Sequence, residues 1–169
     1  LKKMGGKIKI KNGYIIASAK KGLKGCTIKF PKISVGATEN ILIAACFAKG
    51  ETKLRNCALE PEIDDLINFL KKLGCKISRT GKRSINVLGV EKLKTIVHKV
   101  IFDRIEAGTY IIAAALTNGR LKITNIDPKV MSTEINLLHK IGVKIIRKKN
   151  YIIASCQKNL KSIHIITKP

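Results

Sequence analysis

The chain has 169 residues, 45% of them hydrophobic, which is enough to fill one packed core or two small ones. Its longest apolar runs, Ile41 to Ala48 and Ile111 to Leu116, are far shorter than the roughly 18 residues a membrane span needs, so no span is expected. The formal net charge of +23 comes from 28 lysines and 6 arginines among 28 isoleucines, with 4% aromatics. Sequence-reading nucleic-acid domains use arginine forks or aromatic stacking platforms, and neither stands out here. Salt-sensitive sticking to polyanions is expected, and specific nucleic-acid recognition is not. A noncatalytic basic nucleic-acid-binding module is the alternative from a different class. The five cysteines (Cys26, Cys46, Cys57, Cys75, Cys156) show no C-x-x-C spacing and no histidine partners. They read as reduced thiols used as small apolar residues, which implies a reducing, cytoplasmic setting.

Taken in chain order, the first segment is Leu1-Lys2-Lys3-Met4-Gly5-Gly6-Lys7-Ile8, with no apolar signal region, and it reads as part of something longer. The same pattern returns at Leu70 to Ile77 and at Leu138 to Ile145, at spacings of 69 and then 68 residues. In each copy a helix is expected to end at a glycine in the left-handed conformation, and a strand to start at once. Tyr14-Ile15-Ile16-Ala17 and Tyr151-Ile152-Ile153-Ala154 then read as the second strand of a hairpin.

Next comes a strand from Cys26 to Phe30 and a loop through Lys32-Ile33-Ser34-Val35. An apolar helix from about Gly36 to Ala48 follows, then a turn at Lys49-Gly50 that opens a strand. Glu60-Pro61 suits a helix start. Ile63, Leu66, Ile67, Leu70 and Leu73 lie three and four apart, an amphipathic stripe. A hairpin to about Gly89 completes one unit. The second unit is expected from about His98 to Ala154. In it Asp103-Arg104-Ile105-Glu106-Ala107-Gly108 parallels Pro31 to Gly36, Asn118-Gly119 parallels Lys49-Gly50, and Asp127-Pro128 parallels Glu60-Pro61. Met131, Ile135, Leu138 and Ile141 form its stripe. The unit is βαβαββ, repeated, and the fold class is α/β (α+β), with helical crossovers joining parallel strands.

Ser34, Val35 and Gly36 stand between a strand and a helix. The first N–H groups of a helix lack intrahelical partners and attract anions, and a glycine there lets an anion approach the backbone. The helix dipole contributes roughly 0.3–1 kcal/mol per anionic contact. From the residues alone, a plain serine N-cap is the alternative.

The runs Lys32-Ile33-Ser34-Val35-Gly36-Ala37-Thr38, Glu60-Pro61-Glu62-Ile63 and Asp103-Arg104-Ile105-Glu106-Ala107-Gly108-Thr109 resemble, in order, the UDP-N-acetylglucosamine 1-carboxyvinyltransferases, the enolpyruvyl transferases of peptidoglycan synthesis. The resemblance covers nearly the whole chain. It implies two domains, each an inside-out α/β barrel of three such units, with the active site in the cleft between them. Residues 1–100 would be the C-terminal part of the first domain and 101–169 the first part of the second. The implied reaction moves the enolpyruvyl group of phosphoenolpyruvate onto the 3-hydroxyl of UDP-N-acetylglucosamine, without metal or organic cofactor. The resemblance makes Lys32, Ile33, Ser34, Val35, Gly36, Glu60, Asp103 and Glu106 the expected substrate-binding residues. Ser34 to Gly36 would hold the diphosphate, and Asp103 and Glu106 would face the cleft. Glu106 matches Ser34 in the repeat, and a carboxylate there would repel a second diphosphate. Ala107 departs from a position where family members often carry threonine.

No catalytic residue is expected in this chain. The family's cysteine lies on a glycine-rich loop upstream of the matched region, the basic uridine segment follows that loop, and the base for the sugar hydroxyl would come just after Pro169. Cys26, at a strand start without a glycine-rich loop, is not that nucleophile. Three readings of this stay open: a split-gene subunit, for which the remainder of the enzyme as a separate chain is the expected partner, a remnant of a decayed gene, or an incomplete record of the sequence. His98, His139 and His164 have no apparent acid or nucleophile partner and read as structural or surface residues. Within the fold, the shikimate-pathway enolpyruvyl transferase is the alternative.

Overall fold

Lysine and isoleucine alternate from Lys7 to Lys11, which builds strand β1 (Lys7–Lys11), antiparallel to β2 (Tyr14–Ser18). The turn between them places Asn12 and Gly13 at positive φ, as tight hairpins require. A single 3-10 turn at Lys2–Met4 precedes the pair and ends at Gly5, φ 90°. The computed structural model describes residues 1–156 and 160–167 of the chain. It divides into two compact units, one from Leu1 to Lys99 and one from Val100 onward.

In the first unit β3 (Thr27–Lys29) leads to helix α1 (Val35–Ala45), β4 (Glu51–Arg55), helix α2 (Pro61–Lys72), β5 (Lys76–Gly81) and β6 (Ser84–Leu88). The sheet runs β3-β4-β6-β5, with β3 parallel to β4 and the remaining pairs antiparallel. The helical crossover thus joins the parallel pair, and the hairpin closes the unit. Leu42 from α1, Leu54 from β4, Ile63 from α2, and Ile85 and Val87 from β6 are fully buried in one core. Each such side chain contributes about 1.5–3 kcal/mol by leaving water. α1 stops three residues earlier than its apolar run suggests, because Phe47 and Ala48 turn back onto the Ala44 and Ala45 carbonyls. At Gly89 an added Cβ would lie 1.8 Å from the Ala48 carbonyl oxygen, so the chain passes there only as glycine.

The second unit contains helix α3 (Arg104–Leu116), β7 (Arg120–Thr124), helix α4 (Ser132–Ile141), β8 (Lys144–Lys148) and β9 (Tyr151–Ser155). Its sheet, β7-β9-β8, is antiparallel throughout. Ile111, Met131, Ile135, Ile152 and Ala154 are fully buried in a core of their own.

Three expectations are corrected. No strand forms ahead of α3, so the outer edge of β7, which corresponds to the edge that β3 covers on β4, has no paired strand among the described residues. The segment has other contacts instead. The buried His98 side chain holds Asp65 Oδ1 at 3.0 Å and meets the Phe69 ring edge-on at 5.3 Å, while Phe102 packs on the second core. His98 therefore has the acid partner that the sequence did not reveal, in a structural role. Finally, α4 starts at Ser132 rather than at Asp127-Pro128. Asp127 Oδ1 accepts the Lys129 N–H at 3.0 Å and its carbonyl accepts the Val130 N–H, closing a separate turn before the helix.

Candidate functional site

β3 and β4 run parallel, so the loops after both strands, residues 30–34 and 56–60, emerge at the same end of the first unit. The structure joins these two loops through Thr38. Its side chain is fully buried; Oγ1 donates to the Ser34 carbonyl at 2.8 Å and accepts the Ala58 N–H at 3.1 Å. Asn56 adds a second tie, its side-chain amide donating to the Phe30 carbonyl at 2.9 Å from a backbone at φ 60°. Sequence reasoning passed over both residues. The signal for Thr38 was its place in the Ser34-to-Thr38 run, four residues beyond the cap, where a hydroxyl reaches back to the preceding carbonyl.

Ser34 is the N-cap of α1, with extended backbone, and its Oγ accepts the Ala37 N–H at 3.2 Å. The cap reading is thus realised, and the hydroxyl keeps its own proton free to donate outward. The N–H groups of Val35 and Gly36 lie in the first turn and have no intrahelical acceptor. Ser34 and Gly36 are exposed, as is Lys32, while Ile33 and Val35 are half-buried and pack against the core. A Cβ added at Gly36 would meet nothing within 4 Å, so the backbone there is bare on that side. An anion could be met by two N–H groups, one hydroxyl and a nearby ammonium.

Glu60 precedes Pro61 at the start of α2, half-buried. Its Oε2 accepts the Leu59 N–H at 2.8 Å, so the carboxylate is folded onto its own backbone and makes no cap bond to the helix. Beside it Cys57 is fully buried, and burial pushes its thiol above the ordinary range, against the opposing pull of Arg79, Arg55 and Arg83. A thiol held protonated in this way is a poor nucleophile. Cys46 is pushed up further by burial and by the hydrogen bond that its thiol donates to neighbouring Cys75.

Asp103 and Glu106 lie in the second unit. Asp103 is the N-cap of α3, and its Oδ1 accepts the N–H groups of Ile105 and Glu106 at 2.8 and 3.0 Å. Glu106 is exposed in the first turn. The repeat alignment set Glu106 against Ser34, but the helix begins a turn earlier than that alignment implies, so Asp103 takes the cap position instead. Arg104 pairs with Glu134 of α4 and fixes the start of α3 to its own unit. The second unit also has an open hollow of about 870 Å³, lined by Asp127, Lys129, Ser132, Arg147, Lys148 and Lys149, and none of the expected substrate-binding residues lines it. Among the described residues no group of acids, histidines and cysteines could hold a metal, and no helix is long and apolar enough to cross a membrane.

This frame, one full βαβαββ unit followed by a second without its leading strand, is shared with enolpyruvyl transferases of known structure. The chain belongs to the EPSP synthase family: the model described as EPSP synthase (3-phosphoshikimate 1-carboxyvinyltransferase) matches residues 1–169. Within that family it is similar to enzymes named UDP-N-acetylglucosamine 1-carboxyvinyltransferase. The one from Pelagibacter ubique (strain HTCC1062) is 60% identical over all 169 residues, and that from Endomicrobium trichonymphae is 49% identical over 166 residues. The chain spans 40% of the length of each. Among solved structures, the enolpyruvyl transferase NikO from Streptomyces tendae matches with a TM-score of 0.80 at 25% identity, over 91% of this chain and 40% of that one. An EPSP synthase from Acinetobacter baumannii shares the fold, with a TM-score of 0.69 at 21% identity, over 98% of this chain and 40% of its own.

Proposed function

We propose that this chain carries part of the sugar-nucleotide site of an enzyme that transfers the enolpyruvyl group of phosphoenolpyruvate to the 3-hydroxyl of UDP-N-acetylglucosamine. The observation that carries this reading is the open start of α1: unpartnered Val35 and Gly36 N–H groups behind an exposed Ser34 hydroxyl. They suit a diphosphate, with Lys32 and Ile33 completing the loop. Glu60, Asp103 and Glu106 are the other residues assigned to the substrate cleft. Residues 1–100 end one domain of the enzyme, and 101–169 begin the other. The whole protein works in cytoplasmic synthesis of peptidoglycan precursors, and the remaining three-fifths of the relatives' length supplies the groups that perform the chemistry. The names of the 60% and 49% identical relatives favour the UDP-sugar over shikimate 3-phosphate.

The test is an NMR titration of the chain with UDP-N-acetylglucosamine, with shikimate 3-phosphate and an unrelated polyanion as controls. Loss of even three hydrogen bonds of about 1–1.5 kcal/mol each weakens binding by roughly three powers of ten, so millimolar affinity is expected. Shifts should centre on the amides of Ser34, Val35 and Gly36. Because a Cβ at Gly36 meets nothing within 4 Å, Gly36→Phe should block the ligand while leaving the fold in place. Equal shifts at lysines throughout the chain for all three ligands would overturn the assignment. The chain alone should release no phosphate from phosphoenolpyruvate and UDP-N-acetylglucosamine; turnover abolished by Cys26→Ala would identify a nucleophile within it.

A further inference from the structure

In the second sheet Ile145, Ile152 and Ala154 point into the core under α3 and α4, so the alternate positions of the same strands form an outer face. The strand register sets Arg120, Ser155 and Lys144 side by side in one row of that face, and Lys122, Ile153 and Ile146 in the next. Tyr151 and Lys148 pair in the row beyond. The four cations are exposed, Ser155, Ile153 and Tyr151 are half-buried, and Ile146 is 42% exposed. No acidic residue stands on this face among the described residues. Between Arg120 and Lys144 a hollow of about 240 Å³ opens, lined also by Ser155, Ile153 and Ile146. Strand spacings give the face a size of roughly 10 by 14 Å. The corresponding face of the first sheet is different. There Glu51 accepts the Asn86 side-chain amide at 3.0 Å and pairs with Lys53 at 3.3 Å, so that face neutralises part of its own charge.

We propose that this outer face docks on the surface of an anionic lipid bilayer. A lipid phosphate sits between Arg120 and Lys144 over the Ser155 hydroxyl, and Ile146 and Ile153 rest against the acyl boundary. Three features select this partner. Covering four cations with more polypeptide would cost heavily unless that polypeptide brought carboxylates, so the face is built for solvent or an anionic surface. Its cations surround exposed aliphatic side chains, the pairing that an interface of headgroups over hydrocarbon rewards. A nucleic acid fits less well. The one aromatic residue on the face, Tyr151, has the Lys122 ammonium 4.5 Å from its ring centroid, so no base can stack there. The docking face does not depend on which substrate the enzyme takes.

The test uses vesicles of phosphatidylglycerol mixed with phosphatidylcholine, and pure phosphatidylcholine vesicles as the neutral control. The chain has no tryptophan, so Ile146→Trp supplies a single reporter on the face. Its emission should move to the blue on the mixed vesicles and stay in place on the neutral ones. In co-sedimentation, Lys122→Gln with Lys144→Gln should weaken binding to the mixed vesicles about 25-fold, roughly fivefold for each cation near an anionic surface. Lys20→Gln with Lys21→Gln, in an exposed turn of the first unit, should weaken it less than about threefold. Ile146→Ser should weaken vesicle binding with the charge unchanged. Equal losses from the two lysine pairs would overturn the proposal, since the overall charge would then be the attraction. So would an unmoved emission on vesicles that bind the chain. Tighter binding to single-stranded DNA than to the vesicles, lost in the Lys122 and Lys144 double variant, would also overturn it, because the partner would then be a nucleic acid.

Discussion

Helix α1 begins behind Ser34, whose hydroxyl takes one N–H at 3.2 Å; helix α3 begins behind Asp103, whose carboxylate takes two, at 2.8 and 3.0 Å. The two starts come from matching stretches of the repeat, but only α1 keeps its first turn open. Their anchors differ as well. α1 is tied to the next loop through the buried Thr38 hydroxyl, and the corresponding place on α3, four residues beyond the cap, is the buried Ala107. α3 relies on its charged cap and on the Arg104–Glu134 pair. One repeated frame thus yields one helix start available to an anion and one already occupied by its own carboxylate. The difference lies in the cap residue and in where the helix begins.

The largest expected effect separates the two units by pH. Cys46 and Cys57 are fully buried in the first core with thiols pushed above their ordinary value near 8.5. The folded state then keeps protons that the unfolded state sheds, so stability is intact below about pH 8.5 and falls above it. From pH 8.5 to 10 the loss from Cys46 alone is about 2 kcal/mol, and Cys57 adds to it in the same direction, read as faster amide exchange in the first core. Constant protection of Leu54 and Ile85 over that range would show that water reaches these thiols.

Next in size, Thr38→Val should cost about 1–3 kcal/mol in thermal or denaturant unfolding, because it strands the Ala58 N–H and frees the loop behind Glu60. It should also blur any ligand shifts at Ser34. A change under about 0.5 kcal/mol would mean that α1 is held by its apolar face alone. Asp103→Ala should cost about 1 kcal/mol and Ser34→Ala about 0.5 kcal/mol, the order set by two cap bonds against one longer, exposed bond. Equal costs would remove the distinction between the two helix starts.

Much of the frame was legible in the sequence because it is local. The glycine stops at 74 and 142 follow from the need for positive φ, and the stripes from Ile63 and Met131 follow from helical period. What escaped depends on tertiary partners. The strand expected before α3 is absent because formation of a strand needs a neighbour's edge, and the alternation around Val100 carries no record of where that segment will pack. The late start of α4 came from competition between two uses of Asp127, as helix start or as turn former, which the residue type alone leaves open. His98 looked isolated because Asp65 lies 33 residues away, one turn into α2. Of the site, the Ser34 cap could be read from its neighbours, whereas the Thr38 bridge to Ala58 spans 20 residues and needs both loops in place.

Among the described residues the outer edge of β7 is unpaired, which has a consequence for handling the protein. An open strand edge invites another copy to add to it, and this one exposes Arg120 and Lys122 along its length, with the Lys122 ammonium 4.5 Å from the Tyr151 ring. Two such edges brought together would face like charge with like charge. That guard is electrostatic and works only as far as salt allows: at about 1 M ionic strength the screening length shrinks to roughly 3 Å. Concentrated salt, the usual remedy for a basic protein that clings to polyanions, should therefore release the polyanion and at the same time promote precipitation of the protein with itself.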